Sequence, residues 1–120
     1  MNRIAIVFLA GSLVAASAAR ASAQSKVADG AALFASQHCT MCHSAAGKGN
    51  PKGSLDNVAA THKPDEIRRW IQDPEAMRAK SGATRTPAMK PIKLTTEQVD
   101  ALVAYLTSLK PMPAAADADR

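Results

Sequence analysis

The sequence predicts a single all-α domain. Apolar residues recur at helical spacing in several segments, glycines and prolines separate those segments, and no alternating strand pattern of useful length occurs. A length of 120 residues suits one domain and is too short for two separate cores. No apolar run or helix is long enough for a polytopic membrane protein or a fibrous protein, so both classes are excluded. Because aromatic residues make up only 3% of the chain, we expect a core that is not built mainly from rings.

An export signal is predicted at the N-terminus. Arg3 precedes an uncharged apolar run from Ile4 to Ala16, and an Ala-Ser-Ala triplet ending at Ala23 has the spacing that signal peptidase recognises. We therefore expect residues 1–23 to be a signal peptide cleaved near the end of that triplet, and residues 24–110 to form the domain. An uncleaved membrane anchor is the alternative, and the apolar run is short for one.

The domain that remains after cleavage has a mild positive charge. The formal net charge of the chain is +5 at pH 7, and removal of residues 1–23 takes away Arg3 and Arg20 but no acid, which leaves +3. Basic and acidic residues are interspersed, so a nucleic-acid partner is not expected. A domain this small and this poor in aromatic residues usually needs an additional source of stability, such as a disulfide, a metal or a prosthetic group.

Both cysteines lie in one pentapeptide, Cys39-Thr40-Met41-Cys42-His43. In an exported chain, the pattern C-x-x-C-H is typical of covalent attachment of c-type haem. Residues three apart share one face of a helical turn, so both sulfurs can bond one porphyrin while the adjacent imidazole binds its iron. A redox disulfide, a zinc site and a structural disulfide are the alternatives. The first lacks a βαβ context, the second lacks further ligands, and the third leaves His43 without a role.

The first predicted helix delivers this motif at its end. Asp29 is a good N-cap residue, and the helix is predicted to run from there towards His38 with Leu33 and Phe34 facing inwards. The polar and glycine-rich stretch from Ser44 to Ser54 then predicts an exposed loop.

A middle helix is predicted to begin at Pro64, because two acids fill its first turn and apolar residues follow at helical spacing. Asp73 ends this helix and caps a short further turn from Pro74 to Lys80. Glycine and prolines then predict an irregular segment from Ser81 to Leu94.

The last helix has the clearest signals. Thr95 and Gln98 form a capping box, an apolar stripe follows, and Pro111 stops the helix. Residues 111–120 show no apolar periodicity, so we expect them to form a flexible tail.

This arrangement resembles the class I c-type cytochromes, the small monohaem cytochromes c of the bacterial periplasm. The likeness covers residues 27–109 and rests on CTMCH, on the Asp29-Gly30-x-x-x-Phe34 pattern before it, and on LTTEQVDALVAYL near the end. It implies the cytochrome c fold, in which the N- and C-terminal helices cross around a covalently bound haem. Gly30, Phe34 and Tyr105 match the positions at that crossing.

The resemblance also implies that a methionine on a loop before the last helix is the sixth ligand of the iron. Met89, in the proline-bounded stretch TPAMKP, stands in that place. Of the other methionines in the mature chain, Met41 lies between the cysteines, Met77 lies on a predicted helical turn and Met112 lies in the tail. A thioether is a soft neutral donor that raises the reduction potential. The predicted haem-binding residues are Cys39, Cys42, His43 and Met89, of which His43 and Met89 bind the iron.

Two departures from the family pattern leave details open. Lys90 follows Met89, so the usual Met-Pro pair is absent. Residues 52–55 (Lys-Gly-Ser-Leu) stand where the family has Gly-Pro before Leu. A backbone carbonyl at Gly53 or at Pro51 is therefore a candidate acceptor for the free N–H of the proximal histidine.

The remaining candidate side chains have weaker signals. His38 and His62 are expected to be surface histidines rather than a second axial ligand. The Trp70 indole N–H has two open interpretations, a hydrogen bond to a haem propionate or a backbone partner in the core. The lysines expected near the haem rim, where they would steer an acidic partner, are Lys48, Lys52, Lys90 and Lys93.

The function expected from the resemblance is electron transfer in the periplasm, without enzymatic activity. The partners would be redox proteins, a dehydrogenase or a terminal oxidase or both, and membrane contact would require an uncleaved leader. One alternative is a dedicated cytochrome subunit or electron acceptor of a periplasmic dehydrogenase, which the same fold and ligands would serve. A haem enzyme or gas-binding protein with an open iron site is a further alternative, and Met89 argues against it.

Overall fold

A computed structural model describes residues 11–111, with side chains from residue 17 onwards. In this range the chain forms five α-helices and one short antiparallel hairpin, which confirms the predicted all-α class. Two 3-10 turns, Cys39–Met41 and Pro51–Gly53, flank the hairpin. The elements are α1 (Gly11–Ser36), β1 (Ser44–Ala45), β2 (Lys48–Gly49), α2 (Val58–Thr61), α3 (Pro64–Gln72), α4 (Pro74–Ser81) and α5 (Thr96–Ser108).

The first helix begins much earlier than the sequence predicts. Helix α1 already includes Gly11, so Asp29 is an interior residue of the helix and not its N-cap. Residues 12–29 are rich in alanine and contain neither glycine nor proline, so nothing in that stretch stops a helix. The prediction of a start at Asp29 was wrong because it relied on one capping residue against this strong local propensity.

The predicted leader and tail fall partly outside the described residues. Arg3 and the first part of the apolar run precede residue 11, and the predicted tail lies almost wholly beyond residue 111. Among residues 11–111, no helix is both long enough and apolar enough to cross a membrane.

The main packing contact of the fold joins α1 to α5, as the resemblance implies. At Gly30 the two backbones approach so closely that a Cβ would overlap the Ala101 carbonyl and would lie 2.6 Å from the Cβ of Tyr105. One turn further along α1, the buried Phe34 ring packs against Tyr105, with centroids 5.8 Å apart and ring planes inclined by 60°. This tilted geometry is favourable for an aromatic pair.

The hydrophobic core lies between α1, α3 and α5. Each large apolar side chain buried there stabilises the fold by roughly 1.5–3 kcal/mol. The Arg68 guanidinium donates to Asp100 Oδ1 at 2.6 Å and links α3 to α5 at the edge of this core. The buried core residues are Phe34, Ala45, Ile67, Ile71, Val99, Leu102, Val103 and Leu106.

The later helices begin where local chemistry predicts. Pro64 opens α3. Asp73 Oδ1 accepts from the Ala76 N–H at 3.1 Å at the start of α4. At the start of α5, Thr95 Oγ1 accepts from the Gln98 N–H at 3.2 Å, and Gln98 Oε1 accepts from the Thr95 N–H at 2.9 Å. The predicted capping box is confirmed.

The segment from residue 44 to residue 54 differs from the exposed loop that was predicted. Ser44 and Ala45 are only 5% and 2% exposed, because β1 turns inwards and Ala45 joins the core. The buried Asp56 stabilises this segment, because its carboxylate accepts hydrogen bonds from the Ala46 N–H at 2.6 Å and from the Ser54 hydroxyl at 2.9 Å. The glycine and proline content predicts a loop correctly at its tip but does not reveal that its stem is buried.

Candidate functional site

A cavity of about 700 Å³ lies beside the Cys39–His43 motif. This volume is in the range of about 300–1,000 Å³ that is typical of small-molecule and cofactor sites. All four predicted haem-binding residues, Cys39, Cys42, His43 and Met89, line its wall. The apolar part of the wall comes from α1, α3, α5 and the segment after the hairpin, and includes Phe34, Leu55, Ile67, Ile71, Leu102 and Leu106.

The two cysteines lie on a tight turn just after α1. After α1 ends, His38 adopts a left-handed backbone conformation with φ 58°, which changes the direction of the chain. The 3-10 turn Cys39–Met41 follows directly. The N–H groups of Cys42 and His43 both donate to the Cys39 carbonyl, at 3.2 and 2.9 Å. No disulfide joins Cys39 to Cys42, so both sulfurs are available to bond a cofactor. Burial raises the pKa of the Cys39 thiol.

His43, the predicted proximal ligand, is oriented by one backbone carbonyl. His43 Nδ1 lies 3.0 Å from the Gly53 oxygen, and since a carbonyl only accepts, Nδ1 carries the hydrogen and donates it. The structure thus selects Gly53, rather than Pro51, from the two candidate acceptors. This tautomer leaves Nε2 with a free lone pair, as a metal-binding imidazole requires.

The electrostatic surroundings of His43 favour the neutral ring. Burial lowers the pKa of the His43 imidazole, the hydrogen bond to Gly53 acts in the opposite direction, and the positive charge of Arg85 lowers the pKa further. A neutral imidazole is the form that binds iron, so these surroundings suit the predicted role.

Arg85 is a feature of the site that the sequence analysis missed. Its Nη2 atom donates to the Cys42 carbonyl, inside the attachment motif. A Cβ on Gly53 would overlap both that carbonyl and the Arg85 guanidinium, so the three groups are packed in contact. Arg85 lies in an irregular segment two residues before Pro87, and no spacing rule predicts its contact with Cys42.

Met89 lies on the segment between α4 and α5, where it is half-buried and lines the cavity. Met77 is not among the wall residues and is almost fully buried on α4. Met41 also lines the cavity, but it sits between the two cysteines on the attachment turn and is 73% exposed. Met112 lies outside the described residues.

Three other predicted candidates lie at the cavity. Trp70 lines it, and its indole N–H has no hydrogen-bond partner within residues 17–111, so the interpretation with a backbone partner is not the arrangement found. His62 also lines the cavity, with Nδ1 3.6 Å from Glu66 Oε2, and His38 is exposed at the rim. The four lysines predicted to lie near the haem rim are all exposed; Lys90 lines the cavity, whereas Lys48, Lys52 and Lys93 do not.

The chemistry of this wall fits a haem. Apolar side chains suit a porphyrin face, two thiols at a spacing of three suit its vinyl groups, and a neutral imidazole held by Gly53 suits its iron. Met89 adds a soft thioether donor to the same wall.

Comparison with known proteins agrees with this fit. The family model described as cytochrome c matches residues 27–110. No curated protein and no solved structure gave a match. The match covers most of the chain, including the whole Cys39–His43 motif, the part of α1 that meets α5 at Gly30, and all of α5. The chain therefore belongs to the cytochrome c family of proteins, which bind haem covalently and transfer electrons.

Proposed function

We propose that this protein is a periplasmic electron carrier that holds one haem c through Cys39 and Cys42, with His43 and Met89 as the axial ligands of its iron. The observation that supports the proposal best is that both thiols, the histidine and the methionine line one apolar cavity. Met89 is distant from the motif in sequence, so its position in the same wall does not follow from the motif itself.

Haem supplies a one-electron couple between ferric and ferrous iron. The chain tunes that couple through two donors of different character. His43, held by Gly53, is a neutral nitrogen donor, and the thioether of Met89 is a soft donor that favours the reduced state. The apolar wall excludes water and disfavours the more highly charged ferric state. We therefore expect a high reduction potential for a c-type site.

A carrier needs an edge of its cofactor near the surface and no open coordination position. Lys48 and Lys52, in the stretch that follows Cys39–His43, are exposed and do not line the cavity, so the chain beside the haem-binding motif lies at the protein surface. Met89, on the segment between α4 and α5, would fill the sixth coordination position of the iron and leave no site for a substrate or a gas. Both features favour transfer of electrons over catalysis.

The proposed location is the periplasm, after cleavage of residues 1–23. Cleavage near Ala23 would leave residues 24–36 of α1, which retain the contacts of Gly30 and Phe34 with α5. The proposed partners are redox proteins, a dehydrogenase or a terminal oxidase or both. A dedicated subunit of a periplasmic dehydrogenase would use the same ligands and differ only in its partner.

The axial ligation is tested by the weak sulfur-to-iron charge-transfer band in the far red of the oxidised protein. We expect the wild type to show this band and Met89→Ala to abolish it and to lower the reduction potential. Met77→Ala is the control, because Met77 lies outside the cavity wall and its loss should leave the band unchanged. A band that survives Met89→Ala and disappears in Met77→Ala would refute the assignment.

A further inference from the structure

The segment that carries Met89 is attached to the haem-binding motif by one arginine. Arg85 lies four residues before Met89, and its guanidinium donates to the Cys42 carbonyl, 43 positions earlier in the chain. This carbonyl belongs to the peptide bond that joins Cys42 to His43. The contact therefore connects the loop of the proposed sixth ligand directly to the backbone of the proposed fifth ligand.

The other hydrogen bonds of this segment are local. Within the described residues, the Ala83 N–H donates to the Ser81 hydroxyl and the Thr86 hydroxyl donates to the Thr84 carbonyl, both at 3.4 Å. In the part of the chain that the structure describes, the bond from Arg85 to the Cys42 carbonyl is the one hydrogen bond that links residues 83–94 to a residue far away in the sequence. Loss of that donor would leave the segment held by side-chain packing alone.

The guanidinium is also packed against the peptide that orients the histidine. A Cβ on Gly53 would lie 2.7 Å from Arg85 Cζ and would overlap Nη1, so the cation lies against the Gly53 peptide. The carbonyl of the same residue accepts from His43 Nδ1 at 3.0 Å. One positive charge thus lies beside both peptide groups that flank the proximal imidazole.

We propose that Arg85 is a positioning residue that clamps the Met89 loop to the attachment motif and places a fixed positive charge beside the His43 ligand. This inference rests on the proposed axial ligation. It has two separable consequences. The clamp opposes opening of the loop, so an added ligand should find it harder to displace Met89. The charge disfavours the more positive ferric state, so it raises the reduction potential.

The test uses the mature holoprotein and imidazole as the competing ligand. Imidazole is titrated into the ferric protein while loss of the far-red band is followed, and the reduction potential is measured separately. In Arg85→Gln we expect the apparent imidazole affinity to rise about tenfold, because a charged hydrogen bond that closes the loop is lost. We expect its potential to fall below that of the wild type.

Two further variants serve as controls. One separates the effect of the Arg85 hydrogen bond from that of its charge, and the other shows what the loss of any one positive charge does. Arg85→Lys keeps the charge but not the planar fork, so its potential should stay closer to the wild-type value than that of Arg85→Gln, and its imidazole affinity should still exceed the wild-type affinity. Arg69→Gln, on the exposed side of α3 and outside the cavity wall, removes the same charge and should change neither quantity appreciably.

The inference is overturned if Arg85→Gln and Arg69→Gln give the same imidazole affinity and the same potential. A lower melting temperature of Arg85→Gln with both quantities unchanged would likewise overturn it, because that result describes a purely structural residue. If Arg85→Gln does not mature, Arg85→Lys decides through its imidazole affinity, and a wild-type value refutes the clamp.

Failure of the proposed ligation has a different signature from failure of this inference. A wild type without the far-red band, or a Met89→Ala variant that keeps it, contradicts the ligation. The potential of Arg85→Gln still tests the charge in that case, because that effect does not require Met89 to be the sixth ligand.

Discussion

His43 Nδ1 donates a hydrogen bond to the carbonyl oxygen of Gly53 at 3.0 Å. This bond fixes both the rotation of the imidazole and the tautomer that leaves Nε2 free. Gly53 itself is confined between the Cys42 carbonyl and the Arg85 guanidinium. The orientation of the proposed iron ligand therefore depends on a residue position that has no room for a side chain.

Substitution of Gly53 should show this dependence. In Gly53→Ala the new methyl group overlaps the Cys42 carbonyl and Arg85, so we expect the free energy of unfolding to fall by about 1–3 kcal/mol. The displaced carbonyl should also alter the reduction potential. Guanidinium chloride unfolding and a redox titration of the holoprotein measure the two effects.

Gly82→Ala is the matched control for Gly53→Ala. Gly82 has φ 69° and no atom near its missing Cβ, so alanine there meets backbone strain of about 1 kcal/mol without a collision. Its potential should equal that of the wild type. A Gly53→Ala variant with wild-type stability and potential would contradict the described geometry.

The crossing of α1 and α5 gives a second prediction. In Gly30→Ala the methyl group meets the Ala101 carbonyl and Tyr105, so the helices must separate, and we expect a loss of about 1–3 kcal/mol in unfolding free energy. Ala32→Ser, on an exposed position of the same helix, should change stability by no more than about 0.5 kcal/mol. Equal unfolding midpoints for the two variants would show that the helices do not approach at Gly30.

The rim lysines give a third prediction, about association with a redox partner. Lys90 and Lys93 follow Met89 in the same segment and are exposed. The variant Lys90→Glu, Lys93→Glu should therefore associate more slowly with an acidic partner and show a flatter dependence on ionic strength. Steering of this kind is screened within about 8 Å at physiological salt. Stopped-flow reduction across a salt series measures it.

The control for the lysine variant reverses two charges elsewhere. Lys26 and Lys110 are exposed and do not line the cavity, so Lys26→Glu, Lys110→Glu makes the same change in net charge. If both double variants give the same salt dependence, the lysines of the Met89 loop do not meet the partner.

The elements that the sequence predicts well are those whose limits depend on neighbouring residues. Three helix starts depend on residues within three or four positions of one another, and the structure confirms all three. They are the start of α3 at Pro64, that of α4 after Asp73, and that of α5 at the capping box of Thr95 and Gln98. A helix start predicted from a single capping residue was wrong at Asp29, because the alanine-rich stretch before it also favours a helix.

The features that the sequence did not predict depend on contacts between distant residues. The hydrogen bond from Arg85 to Cys42 joins residues that no local rule connects. The burial of Ser44 and Ala45 arises because the hairpin stem packs onto the core. The choice of Gly53 over Pro51 as the acceptor needed the path of the 3-10 turn that contains both.

The proposed function depends on covalent attachment of haem through Cys39 and Cys42, which the intact mass of the exported protein reveals. The protein would be expressed with cytochrome maturation factors, purified from the periplasm, and weighed before and after acid-acetone extraction. We expect a red protein whose chain begins near Gln24 and whose mass includes one haem that the extraction does not remove. A colourless product, or haem that is lost to acid-acetone, would contradict it.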